Sequence, residues 1–171
     1  MKTYLPIMLD VTEKNILILG AGKASAEKLR TLSSLNKKIR VISKSFREDF
    51  LDKPYLELIQ KEYEYGDLKG FDVVYSGVND KKVELEILKE AKERKILINF
   101  IDQVDSSDFI SAASIIKDSF SIFISTYGRS PGGAKKIRQE IEAKLNLEHL
   151  SQEISKLAQE RKKRKENASS I

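Results

Sequence analysis

Asn15-Ile16-Leu17-Ile18-Leu19-Gly20-Ala21-Gly22-Lys23-Ala24-Ser25-Ala26-Glu27-Lys28-Leu29 is the stretch whose reading decides the fold. A short, wholly apolar run breaks into a Gly-x-Gly turn and reopens with helical spacing, the pattern of the first βα unit of a dinucleotide-binding fold. Gly20 lets the chain turn sharply off the strand, and Gly22, lacking a Cβ, lets a pyrophosphate approach the backbone. The phosphates would rest on the free N–H groups where the helix begins, at Lys23 and Ala24. Ser25 stands where a third Gly or Ala usually permits close packing of helix on strand. Two glycines this close often make only a tight turn. The strand before them, the helical spacing after them and their place near the start of the chain favour the dinucleotide site.

The 171 residues suit one α/β core with a small appendage. There is no cysteine, which excludes disulfides, thiolate metal sites and thiol nucleophiles. His149 is the single histidine, so no histidine pair can hold a metal, and no metal site is expected. It is read as a residue of a helix surface or an interface. No apolar run approaches the length of a membrane span, and Met1-Lys2-Thr3-Tyr4 leads into no signal-peptide pattern, so the expected location is the cytoplasm. The formal net charge of +5 favours an anionic partner. Much of the excess lies between Lys156 and Lys165, where Arg161-Lys162-Lys163-Arg164-Lys165 reads as a solvated run at a chain end. Neither nucleic acid nor a membrane is an expected partner.

Tyr4-Leu5-Pro6-Ile7-Met8-Leu9-Asp10 is apolar enough for a strand at a sheet edge. After the glycine turn, the apolar spacing predicts a helix to about Asn36, and Ile39 to Ser43 reads as the second parallel strand. About 20 residues past the glycines, an Asp or Glu would hold the adenosine ribose and mark NAD. The residues there are Ser43, Lys44 and Ser45. They hold the ribose with hydroxyls, or Lys44 meets a 2′-phosphate, or Lys44 is a solvated loop lysine. The choice between NAD and NADP stays open on these residues. A short helical segment near residues 46–51 and a strand over 55–63 follow. Residues 71–76 form a further strand that delivers Gly77, Val78 and Asn79 to its carboxyl end, where ligands of open parallel sheets bind. Asp80 reads first as the N-cap of the next helix. Residues 95–101 form the next buried strand, ending at Asp102. The βα rhythm then stops: residues 114–116 and 120–126 read as a hairpin, often a dimerisation element on such a core. Ser130 is placed as N-cap and Pro131 as first residue of a helix, and a second helix closes the chain. The predicted fold is α/β, with a Rossmann-like parallel sheet followed by a dimerisation hairpin and C-terminal helices. The predicted boundaries are 1–110, 111–128 and 129–171.

The order of Leu5-Pro6-Ile7, Gly20-Ala21-Gly22, Asn79-Asp80, Asn99-Phe100-Ile101-Asp102, Asp108-Phe109-Ile110 and Ile124-Ser125-Thr126-Tyr127-Gly128-Arg129-Ser130-Pro131 resembles the precorrin-2 dehydrogenase family. That family includes the first module of the multifunctional siroheme synthases, and the likeness runs from residue 4 to about 145. The chain departs from the family pattern at Ala112, where Pro is usual, and at Tyr127-Gly128, where Gly-Gly is frequent. The resemblance implies NAD-dependent oxidation of precorrin-2 to sirohydrochlorin by a homodimer whose substrate site spans the subunit interface. Some members also insert ferrous iron into the product, so a bifunctional dehydrogenase and ferrochelatase is the alternative within the enzyme class.

Such a reaction needs a base beside the nicotinamide, and Asp102, at the carboxyl end of the fifth parallel strand, is the candidate. A partly desolvated site would raise its pKa toward working pH. By position alone Asp102 also reads as a loop aspartate capping its own turn. Asp105 and Asp108, beside Ser106 and Ser107, look like turn-formers. For a multiply carboxylated tetrapyrrole, Arg129 offers a guanidinium fork next to the start of a helix, with Thr126 and Ser130 as further substrate contacts. Two rival classes are a non-catalytic dinucleotide-sensing module and a nucleic-acid-binding protein driven by the basic tail.

Overall fold

The computed structural model describes residues 2–101 and 103–168. They divide into two compact units, one up to Ser111 and one from Ala112 onward.

The first unit is built on five parallel strands in the order β3-β2-β1-β4-β5, where β1 is Ile16–Ala21, β2 Ile39–Phe46, β3 Leu56–Gln60, β4 Val73–Ser76 and β5 Leu97–Phe100. The central strand β1 is apolar on both faces because both are covered. Leu17 and Leu19 join one core with Ile87 and Ala91, while Ile16 and Ile18 join the other with Leu29 and Leu32. Each fully buried aliphatic side chain contributes roughly 1.5–3 kcal/mol, so this strand anchors the unit. Helix α1 (Lys23–Leu32) presents Ser25, Leu29 and Leu32 to the second core, and Asn36 in a left-handed conformation (φ 49°) ends the short 3-10 turn that follows it. Helix α2 (Lys81–Arg94) starts at Asp80, whose carboxylate accepts the N–H groups of Lys82 and Val83, as the sequence indicated.

Residues 2–10 correct one expectation, because they form no strand. Pro6 has no N–H to give a neighbour, neither β3 nor β5 pairs with this segment, and Leu5, Ile7 and Met8 lie exposed. The outer edge of β5 is closed by side chains instead. Asp108 accepts the Ile98 N–H at 3.0 Å, and the Ser107 hydroxyl accepts the Phe100 N–H at 2.8 Å. Both edge donors are thereby satisfied without a sixth strand.

The crossover from β3 to β4 carries turns rather than a helix. Its anchor is Glu90 of α2, fully buried, whose carboxylate accepts from the Tyr63 hydroxyl (2.7 Å), the Gly66 N–H (2.9 Å) and Arg94 Nε (2.6 Å). Burial acts to raise the Glu90 pKa, but these three donors outweigh it and hold the carboxyl below its ordinary value. Burial and the Glu90 charge correspondingly push the Tyr63 hydroxyl up.

The second unit is an antiparallel hairpin, β6 (Ala113–Ile116) with β7 (Ser121–Ile124), followed by α3 (Pro131–Lys144) and α4 (Leu147–Ala168). Ser130 caps α3 through the Gly133 N–H, with Pro131 as its first residue. The hairpin turn is tied to α4 by Lys117 pairing with Glu148 and by the Ser119 hydroxyl donating to the Ser151 carbonyl at 2.9 Å. Helix α4 continues through the basic stretch 161–165, and every side chain from Lys156 to Asn167 is exposed.

One contact governs how α1 sits on the sheet. A Cβ built on Gly77 would lie 2.2 Å from Ser25 Oγ, and Ser25 is fully buried. Gly77→Ala is therefore expected to lower the melting temperature measurably, and Ser25→Gly in the same chain to recover most of the loss; equal melting curves for the two would show the contact to be unimportant. Glu90→Gln is expected to cost on the order of 2 kcal/mol in urea denaturation at pH 7. Because the folded-state pKa of Glu90 is depressed, this deficit should be complete above the ordinary value of 4.5 and shrink as pH falls through the folded value.

Candidate functional site

The chain passes from β1 outward to β2 and β3, then returns to lay β4 and β5 on the other side of β1. The topological switch lies between β1 and β4, so the loops leaving those strands form the crevice where open parallel sheets bind ligands. The two loops touch. Gly77 donates its N–H to the Leu19 carbonyl at 2.8 Å, and a Cβ on Gly20, where φ is +83°, would stand 3.0 Å from the Gly77 carbonyl oxygen. Only glycine meets both conditions at position 20.

The start of α1 is open to an anion. Gly22 is the N-cap residue, with no side-chain cap and no acidic residue in the first turn, and a Cβ on Gly22 would meet nothing within 4 Å. Helices α2 and α3, by contrast, spend Asp80 and Ser130 on their own first turns. The first N–H groups of α1, with Lys23 and Ala24 at its first positions, thus have the chemistry to hold a pyrophosphate.

Beside this turn, at the ends of β4 and β5, a cavity of about 140 Å³ is lined by Ser76, Gly77, Val78, Asn79, Lys81, Glu84, Phe100, Ile101 and Gln103. Its volume lies below the roughly 300 Å³ of a pocket for a whole drug-sized ligand. It is sized for one end of an extended molecule. Ser76, one of the lining residues, has its Oγ buried without a hydrogen-bond partner in the protein. The residues present therefore fit a nicotinamide dinucleotide: uncapped amides for its phosphates and a small, mainly apolar recess edged by a few polar side chains for its ring.

The expected site residues divide accordingly. Gly20, Gly22, Lys23 and Ala24 stand at one side of the crevice, and Gly77, Val78 and Asn79 at the other. The Ser43 hydroxyl is committed within the fold, accepting from the Ala21 N–H (3.1 Å) and donating to the Ser45 carbonyl (2.7 Å). Lys44 is paired with Glu62 at 2.7 Å. Asp102 lies outside the described residues, between Ile101 and Gln103, both of which line the cavity. In the second unit, Thr126 Oγ1 accepts the Ser130 N–H (3.1 Å) and donates to the Ser130 carbonyl (2.9 Å), so Thr126 and Ser130 shape the turn that carries exposed Arg129. His149 sits exposed on α4 with Glu153 at 3.5 Å. Among the described residues no cluster of three or more His, Cys, Asp or Glu is placed to hold a metal. Nor is any helix long and apolar enough to cross a membrane.

Sequence reading missed the pair that walls the cavity, Gln103 Nε2 donating to Glu84 Oε2 at 2.6 Å. The signal was present at one end: Glu84 follows the capping Asp80 by four residues and so rises from the same side of α2. Nothing local points from Gln103 to it.

A family model described as "Putative NAD(P)-binding" matches residues 7–113. Among curated relatives, the siroheme synthase of Buchnera aphidicola subsp. Acyrthosiphon pisum is 31% identical over 145 residues, covering 83% of this chain and 31% of that protein. The siroheme synthase of Methylococcus capsulatus is 30% identical over 142 residues, covering 81% and 30%. The chain thus spans about a third of the length of these relatives. A solved structure, "SirC, precorrin-2 dehydrogenase", superposes with a TM-score of 0.72 at 20% identity, covering 84% of this chain and 71% of that one, which shows a common fold. The resemblance read from the sequence points to the same group of proteins. Because the family match takes in the whole five-stranded sheet and more than half of the chain, this protein belongs to the NAD(P)-binding family so described.

Proposed function

We propose that this chain is a precorrin-2 dehydrogenase that oxidises precorrin-2 to sirohydrochlorin with NAD. The observation that carries the reading is the crevice between the loops leaving β1 and β4. There an uncapped helix N-terminus faces open space beside a recess with an unsatisfied buried hydroxyl. The substrate is taken from the name of the similar solved structure, a precorrin-2 dehydrogenase, and siroheme synthases share this segment of chain.

The oxidation removes a hydride, for which the nicotinamide is the acceptor, and a proton, for which the chain must offer a base. Asp102 is our candidate, because the residues on either side of it line the recess and a carboxylate is the right kind of group. Gly20 and Gly22 bring the backbone to the pyrophosphate, while Gly77, Val78 and Asn79 border the ring end. Arg129 is our candidate for a substrate carboxylate, presented by the turn that Thr126 and Ser130 hold. Working on a soluble cofactor and substrate, the enzyme is placed in the cytoplasm.

The second unit supports a homodimer. A two-stranded hairpin is marginal by itself, and this one leaves Ile116 and Phe123 exposed, as α3 leaves Ile137. A second copy is the partner proposed for these side chains.

Purified protein mixed with precorrin-2 and NAD should yield sirohydrochlorin absorbance and NADH in equal amounts. Asp102→Ala should lower kcat by about 10²-fold or more while NAD affinity stays within a factor of two, and full turnover in that variant would remove Asp102 from the mechanism. Light scattering on a sizing column should report a dimer that Phe123→Glu converts to monomer; a monomer in the parent chain would contradict the proposed assembly.

A further inference from the structure

Binding of a dinucleotide at the first βα turn leaves one recognition step unassigned. In this fold a carboxylate ending the second strand takes the ribose hydroxyls and repels a 2′-phosphate. Strand β2 ends Ile42-Ser43-Lys44-Ser45-Phe46, with no acid, and the Ser43 hydroxyl is already engaged on both sides.

The neighbouring strand brings an acid to the same edge. β3 pairs with β2 up to Ser43 opposite Gln60. Beyond that register, Lys61 donates its N–H to the Ser43 carbonyl at 3.1 Å and Gln60 Nε2 donates to the Lys44 carbonyl at 3.1 Å, so the two chains stay together past the last strand pair. Glu62 follows directly, and its Oε1 lies 2.7 Å from Lys44 Nζ. Both side chains are about 70% exposed (72% and 71%), accessible to an arriving ligand.

The surrounding charges argue against a phosphate. A 2′-phosphate needs a cation free to meet it, yet each cation ending or directly following β2 and β3 is already paired. Lys44 has Glu62, Arg47 has Asp49 at 2.9 Å, and Lys61 has Glu64 at 2.8 Å and Asp67 at 3.0 Å. Lys44 is held protonated first by Glu62 and also feels Asp80, a second carboxylate that a phosphate would encounter.

We propose that Glu62, tethered by Lys44, is the ribose-recognising carboxylate of this chain and the residue that selects NAD over NADP. The assignment rests on the dinucleotide-binding reading of the crevice. Glu62 accepts the ribose hydroxyls in the way the second-strand acid does elsewhere, and it opposes a phosphate in their place. A solvent-exposed ion pair contributes little to stability, so either partner can be replaced in a folded protein.

The test is equilibrium fluorescence titration of the full chain with NADH and with NADPH, alongside melting curves to establish folding. The parent chain is expected to bind NADH about tenfold more tightly than NADPH or better. Glu62→Gln should shift that ratio toward NADPH by about tenfold, chiefly by tightening NADPH onto the released Lys44, and adding Lys44→Ala should cancel the gain. A parent that prefers NADPH, or a folded Glu62→Gln variant with an unchanged ratio, overturns the assignment while leaving the dinucleotide site standing. A parent that binds neither nucleotide overturns both.

Discussion

The molecule depends on how closely two loops approach each other at the centre of the sheet. Gly20 carries a left-handed turn under the carbonyl of Gly77, and Gly77 in turn leaves room for Ser25 of α1. A side chain at Gly20 would press on the loop leaving β4, and one at Gly77 would press on Ser25 and so on α1. Either change would alter the crevice between the start of α1 and the recess at the ends of β4 and β5. Steric exclusion at the ångström level, rather than any strong attraction, positions the site.

What surrounds this contact is a set of substitutes for missing regular structure. Where the β3 to β4 crossover has no helix, a buried carboxylate with three donors gathers the turns against α2. Where no strand flanks β5, Ser107 and Asp108 satisfy its outward amides. Lys2 reaches the same loop, donating to the Ser107 carbonyl at 2.6 Å. The Ser107 hydroxyl also donates to the Gln103 carbonyl at 2.8 Å, so the loop bordering the recess is held by side chains from within and from the chain start. Each of these polar groups is costly to bury alone and becomes stabilising only when its partners are all present.

Much of the architecture was legible because it is written in local pattern. The apolar run of β1, the glycine turn, the helical stripe of α1, the hairpin and the caps at Asp80 and Ser130 all follow from residues a few positions apart. The segment 4–10 misled because apolar content permits a strand but only a partner edge makes one, and that edge is supplied by tertiary structure. The same limit hid the Glu90 cluster, the pairing of Glu84 with Gln103, and that of Lys44 with Glu62. Apart from Arg94, four residues along α2 from Glu90, the partners lie between 18 and 27 residues apart, as with Lys44 and Glu62, or Tyr63 and Glu90. No period or spacing rule connects such positions; the sheet order does. On the candidate site, Gly20, Gly22 and Gly77 stand out in the sequence itself, whereas the state of each hydroxyl and ammonium group there came only from the fold.

Helix α4 differs from every other element in how it is maintained. Its first half buries Leu147 and leans on the hairpin turn, but its second half has no apolar surface to cover and is supported by the backbone and by pairs such as Lys162 with Glu166. At about 33 Å for 22 residues, it extends well past the part that is packed. Helix formation without tertiary support is marginal and electrolyte-sensitive. The far end of α4 is therefore expected to fray with an ordered length that follows ionic strength, its amide exchange quickening turn by turn away from the hairpin.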